Sequence, residues 1–136
     1  MSRRGFVGGL SGGIGLALLT GCRGVVRSDF ETMNGNLASL GQEELTILRH
    51  AALAPSGHNS QPWIVLVTET PGEWFLAVDR ERLLPAVDPT GRETLLSIGA
   101  FLENLCRAAR AVGRVVDWEI RGSELASREL ISIRLR

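Results

Sequence analysis

Pro55-Ser56-Gly57-His58-Asn59-Ser60-Gln61-Pro62-Trp63 is the stretch on which the reading of this chain turns. It stands between a segment of helical periodicity and the continuous apolar run Ile64-Val65-Leu66-Val67. Pro lacks an N–H and restricts the residue before it, so neither a helix nor a strand ladder runs through the segment. His58, Asn59 and Gln61 place planar polar side chains within four consecutive positions. A loop that only connects core elements has no need of them. A loop that contacts a planar ligand with a hydrogen-bonding edge does.

Working outward, Ser39-Leu40-Gly41-Gln42 fits a capping box with Ser39 as N-cap and Gln42 reaching back. Leu45, Leu48 and Ala52 then form an apolar stripe on a helix that stops at Pro55. After the loop, Ile64 to Val67 reads as a strand covered on both faces. Pro71-Gly72 signals a turn, and Trp74-Phe75-Leu76-Ala77-Val78 a second strand, antiparallel to the first. Asp79 to Gly91 is a charged loop with two more prolines, Pro85 and Pro89.

The longest periodic segment follows. Leu95, Ile98, Leu102, Leu105, Ala109 and Val112 keep helical spacing. Gly99 and Ala100 keep the middle of that helix slim, allowing another backbone to approach, and Gly113 suits a helix C-terminus. Val116, Trp118 and Ile120 alternate with charged residues as a half-buried strand; Ile131, Ile133 and Leu135 do the same. The order helix, hairpin, helix, strand, strand predicts an α+β fold with a partly antiparallel sheet. The chain stops inside its last strand, so it reads as the front portion of a larger domain, apparently truncated.

Composition narrows the function. In 136 residues, 15 basic and 15 acidic side chains balance, so no field favours nucleic acid or an acidic substrate. Every basic residue is Arg, which excludes a P-loop lysine and a Schiff-base lysine. His50 and His58 have no Cys or carboxylate at ligand spacing, which argues against a metal site. Ser56 lacks the nucleophile-elbow glycines of a hydrolase. Cys106 is most simply a small residue on an apolar helix face.

The N-terminus reads as an export signal over residues 1–22. Arg3-Arg4 precede a short, Gly-rich apolar run from Val7 to Leu19, which resembles a twin-arginine signal. Leu19-Thr20-Gly21-Cys22 resembles a lipoprotein processing box with Cys22 as the lipidated residue. Ser11-Gly12-Gly13-Ile14-Gly15 superficially suggests a nucleotide loop, but lacks the preceding strand. Residues 23–38 are a polar tether, and 39–136 carry the domain. The expected location is periplasmic or at the cell-envelope membrane.

Ala54-Pro55-Ser56-x-His58-Asn59-x-Gln61-Pro62-Trp63 resembles the A-P-S-x-x-N-x-Q-P-W segment of the nitroreductase-like FMN-dependent family. Val78-Asp79-Arg80-Glu81-Arg82-Leu83-Leu84-Pro85-Ala86-Val87-Asp88-Pro89 resembles a second motif of one subgroup, several of whose members carry twin-arginine signals. The resemblance spans about residues 40 to 136. It implies a nitroreductase-like mixed sheet flanked by helices, an intertwined homodimer, and FMN at the dimer interface. The implied activity moves electrons from NAD(P)H to nitroaromatic or quinone-like acceptors. The residues carried over as cofactor-binding are Pro55, Ser56, His58, Asn59 and Gln61. Family members also carry an R-R-S-x-R segment for the FMN phosphate; here Arg27-Ser28 is followed by Phe30, and Arg49 is the candidate in its place. No side chain is needed for covalent chemistry, since the cofactor supplies it. Two alternatives stand beside this reading. One is an exported protein that binds or sequesters flavin without turnover, and the other is an inactive truncated fragment.

Overall fold

The structure is a computed structural model that describes residues 40–136. The expected export signal, Cys22, the tether and the Ser39 cap lie outside the described residues. The first helix, α1 (Gln42–Ala51), begins two residues later than the predicted cap, with Gly41 as N-cap. Gly41 has no side chain, so only the returning arm of a capping box forms: its N–H donates to Glu44 Oε2 at 2.8 Å. Glu43 and Glu44 in the first turn, and Arg49 and His50 in the last, complement the helix dipole. The buried face is Ile47, Leu48 and Ala51, with Leu45 at its margin. The helix tapers through short-range turns over Ala52–Ala54, because the residue before Pro55 avoids the α conformation.

Strands β1 (Trp63–Val67) and β2 (Glu73–Val78) pair antiparallel, with Trp63 opposite Val78. Their connection needs Gly72: its φ is 75°, and a Cβ there would meet the Leu135 carbonyl oxygen at 2.8 Å. Helix α2 (Arg92–Ala111) follows, then β3 (Val116–Ile120) and β4 (Ile131–Leu135). The sheet order is β1-β2-β4-β3, and every ladder is antiparallel. The α+β reading therefore holds, with the element order read from the sequence.

The helices lie against one face of the sheet. Their core joins Ile47, Leu48 and Ala51 of α1 to Ile98, Phe101 and Leu105 of α2, over Val65, Trp74, Leu76 and Ile133. Phe101 and Trp63 meet at 5.1 Å between ring centroids. Burying a side chain such as Phe101 contributes about 2–3 kcal/mol through area removed from water. Strand β1 is covered on both faces, as expected: Val65, Leu66 and Val67 are all buried.

Two expectations need correction. The buried stripe of α2 includes Thr94, Ser97 and Phe101, whereas Leu95 is half exposed and Val112 lies at its exposed end. Strand β3 forms, but Trp118 and Ile120 are 50% and 66% exposed. It is the sheet edge, and of its residues only Val116 packs against the core. Gly99 faces open space, so among the described residues no backbone uses the slim section of α2. Gly113 does adopt the left-handed conformation expected after a helix end, with φ 80°. Among the described residues no helix is long and apolar enough to cross a membrane.

Candidate functional site

Between α1 and β1 the chain makes a compact loop whose backbone is held in an uncommon shape. Ser56 is extended, then the amides of Asn59 and Ser60 donate to the Ser56 and Gly57 carbonyls at 3.0 Å each. Among the described residues, the only non-glycine residues with positive φ are His58, Asn59 and Gln61, at 50°, 54° and 50°. Asn tolerates this region because its short amide bonds locally. His and Gln do not share that advantage, and each such residue costs on the order of 1–3 kcal/mol. Strain of this kind persists only where surrounding bonds over-determine the backbone.

Those bonds are present. Ser56 Oγ accepts from the Gln61 amide at 2.9 Å. Gln61 is 5% exposed, and its side-chain Nε2 donates to Asn59 Oδ1 at 3.2 Å. The Gly57 amide donates to Ser97 Oγ on α2 at 3.2 Å, while that hydroxyl donates to the Glu93 carbonyl at 2.8 Å. From the far side of the hairpin, Arg82 donates to the Ser60 carbonyl at 3.1 Å. The Asp79 amide donates to the Pro62 carbonyl at 2.9 Å, closing the loop onto β1.

The bonding leaves two side chains outward. His58 and Asn59 are exposed, and among the described residues only the oxygen of the Asn59 side-chain amide is bonded, by Gln61. The start of the loop also walls a shallow groove of about 280 Å³, with Pro55, Ser56 and Gly57 on one side and Glu93, Leu96 and Ala100 on the other. A second groove of about 590 Å³ continues along α2 and shares Leu96 and Ala100 with the first. Leu95 and Leu96 expose 50% and 61% of their surface there. An apolar strip with the polar groups of Ser56 and Glu93 at its edge is the kind of surface a planar heteroaromatic ligand can lie on.

The structure thus gathers Pro55, Ser56, His58, Asn59 and Gln61 into one loop. Ser56 and Gln61 bond within it, while His58 and Asn59 face out. Arg49 lies apart, exposed in the last turn of α1. Cys22 lies outside the described residues. Ser97 and Arg82 were missed by sequence reasoning as parts of this site. The polar Thr94 and Ser97 on the buried face of α2 were the available signal, since a buried hydroxyl implies a partner to satisfy.

Two ionisable groups near α2 are perturbed. Desolvation pushes the Asp88 carboxyl up, but hydrogen bonds from the Thr94 amide and hydroxyl and the Glu93 and Arg92 amides outweigh it and hold it below its ordinary value. Asp88 thereby caps α2 in place of Gly91, with Thr94 N–H at 2.9 Å and Glu93 N–H at 3.1 Å. Burial, aided by Glu103, pushes the Cys106 thiol up, which keeps it protonated and unreactive. Among the described residues no group of three His, Cys, Asp or Glu is placed to hold a metal ion.

The fold and loop define an α+β chain with a strained polar loop beside a shallow, mostly apolar groove. No protein-family model matches the chain. It is similar to “Probable NAD(P)H nitroreductase PigM” of a Serratia species, 38% identical over 69 residues, which are 51% of this chain and 19% of that protein. It is 42% identical over 69 residues to “Putative NAD(P)H nitroreductase acg” of Mycobacterium tuberculosis, covering 51% of this chain and 20% of the relative. An uncharacterized M. tuberculosis protein is 47% identical over 58 residues, 40% of this chain and 17% of that one. These matches support a nitroreductase-like kinship over about half of the chain. The matched segment spans about a fifth of the length of these relatives.

Proposed function

We propose that this chain supplies one wall of an FMN site in a nitroreductase-like oxidoreductase that takes electrons from NAD(P)H and delivers them to nitroaromatic or quinone-like acceptors. One observation carries the reading. The chain holds three non-glycine residues in left-handed conformations at a single loop, which exposes His58 and Asn59 and whose Pro55, Ser56 and Gly57 face Leu96 and Ala100 across a groove. The names of the relatives support the same chemistry.

The residues fit such a ligand. The strip accepts an apolar ring face. The Asn59 amide nitrogen is a donor for ring carbonyls, and the Ser56 hydroxyl keeps its own proton for a second one. Gln61, buried and bonded to Asn59, fixes the direction of that amide rather than reaching outward. Arg49 is the candidate for the phosphate. A bound flavin would supply the two-electron transfer itself; the chain's residues bind, orient and exclude water. A shallow groove shields one face only, so the proposal includes a second copy of the chain, or further polypeptide, as the opposite wall.

The proposal also keeps the export reading: a twin-arginine signal over residues 1–22 and lipid attachment at Cys22. Fractionation of cells expressing the chain tests it, and recovery in the cytosol with an intact N-terminus rejects it. The flavin reading is tested by the visible spectrum of the purified chain, with and without added FMN. Flavin absorbance that bleaches with NADPH and returns with a nitroaromatic supports the enzyme. Flavin that is bound but never bleaches supports sequestration. A chain that takes up no FMN refutes both.

A further inference from the structure

We propose that Arg82, held by Asp79, is the positioning residue of the ligand loop, and that it acts by preventing a flip of the Ser60–Gln61 peptide. The inference rests on the loop being the ligand wall proposed above.

One peptide unit is pinned from both sides. Its carbonyl, on Ser60, accepts from Arg82 at 3.1 Å. Its N–H, on Gln61, donates to Ser56 Oγ at 2.9 Å. Arg82 is itself anchored: its Nε lies 3.3 Å from the Asp79 carboxylate, whose side chain is only 10% exposed. The other Asp79 oxygen accepts from the Glu81 amide at 3.1 Å, and the Asp79 amide reaches Pro62. The short turn Arg80–Arg82, at the end of β2, therefore grips both Ser60 and Pro62.

The pinned orientation is the strained one. Flipping this peptide turns ψ of Ser60 and φ of Gln61 by about 180° each. Gln61 would move from φ 50° to about −130°, a φ that L-residues adopt readily. Ser60, at φ −67° and ψ −26°, would move to ψ of about 154°, which is also allowed. Relief of the positive φ at Gln61 thus favours the flipped form, and the two hydrogen bonds oppose it. Flipping would swing the Gln61 backbone and loosen its bond to Asn59, the outward-facing donor. Arg82 contacts no ligand in this account; it holds the group that does.

The test uses the full chain and reads amide hydrogen exchange at Gln61 against Leu66 and Leu76, whose amides lie within the strand ladders. Arg82→Ala should speed Gln61 exchange about tenfold, the scale of one partly exposed charge-assisted bond, and leave both strand amides unchanged. Arg80→Ala is the control, because that side chain donates to the Ala126 carbonyl instead; it should leave Gln61 unchanged. In a Gln61→Gly background the left-handed φ carries no penalty, so residue 61, corrected for its intrinsic rate, should exchange more slowly than in wild type. Unchanged Gln61 protection in Arg82→Ala overturns the proposal. So does acceleration spread evenly over β1 and β2, an equal effect of Arg80→Ala, or a Gln61→Gly variant that exchanges no more slowly than wild type. FMN titration is a separate arm: the apparent Kd should rise by the factor by which the competent loop population falls. A wild-type chain that binds no FMN overturns the flavin reading, while the exchange data still decide the role of Arg82.

Discussion

Replacing His58 with Gly should stabilise this protein while weakening its ligand site. His58 sits at φ 50° and is exposed, so the substitution removes left-handed strain without removing core packing. The relief is about 1–2 kcal/mol for a non-glycine residue in that region. Glycine's extra freedom in the unfolded chain takes back about 0.5–1 kcal/mol. The net gain is therefore about 0–1.5 kcal/mol, which at this size raises Tm by up to roughly 10 °C. Urea or thermal unfolding followed by Trp fluorescence measures it, and FMN retention measured on the same variant should fall. His58→Val is the matched control: a β-branched residue at positive φ is a steric outlier, so it should lose stability. A loss of more than about 1 kcal/mol in His58→Gly, or equal stability of the Gly and Val variants, would mean that the loop is not strained for the sake of its outward side chains.

Two further predictions concern the supports of the site. Gly72→Ala should be costly, about 1–3 kcal/mol, because its Cβ would press on the Leu135 backbone oxygen at 2.8 Å. Gly57→Ala should be mild despite a similar 2.9 Å contact, because the neighbour is the mobile end of Glu93; comparable Tm losses in the two variants would contradict this. Asp88 titrates below its ordinary value in the folded state, so the stability it contributes is present above the ordinary carboxylate range and is lost as pH falls through it. The stability difference between wild type and Asp88→Asn should accordingly shrink in acid, and a difference constant from neutral to acidic pH would contradict the cap.

Particular elements show where sequence reading succeeded. Strand β4 was readable because strict alternation at Ile131, Ile133 and Leu135 matches its pleat, and all three are buried. Helix α2 was readable in its extent but not wholly in its face. Leu95 keeps helical spacing yet lies on the groove, while the polar Thr94 and Ser97 turn inward. Hydroxyls are invisible to an apolar pattern, although burial satisfies them through Asp88 and Gly57. The cap of α1 was misplaced because a Ser-x-x-Gln pattern and a Gly-x-x-Glu pattern stand two residues apart, and local chemistry does not choose between them.

The sequence by itself determined that a polar loop fenced by prolines joins a helix to a buried strand, and that His58, Asn59 and Gln61 belong to it. Those are local facts: proline geometry, residue type and short-range periodicity act within a few positions. Only the tertiary structure decided which of those side chains face outward. That choice depends on bonds from residues distant in sequence, Ser97 to Gly57 and Arg82 to Ser60. It also decided that Trp118 and Ile120 stay exposed. Alternation marks a two-faced strand, but whether another layer covers its apolar face depends on where the helices pack, and no local pattern encodes that.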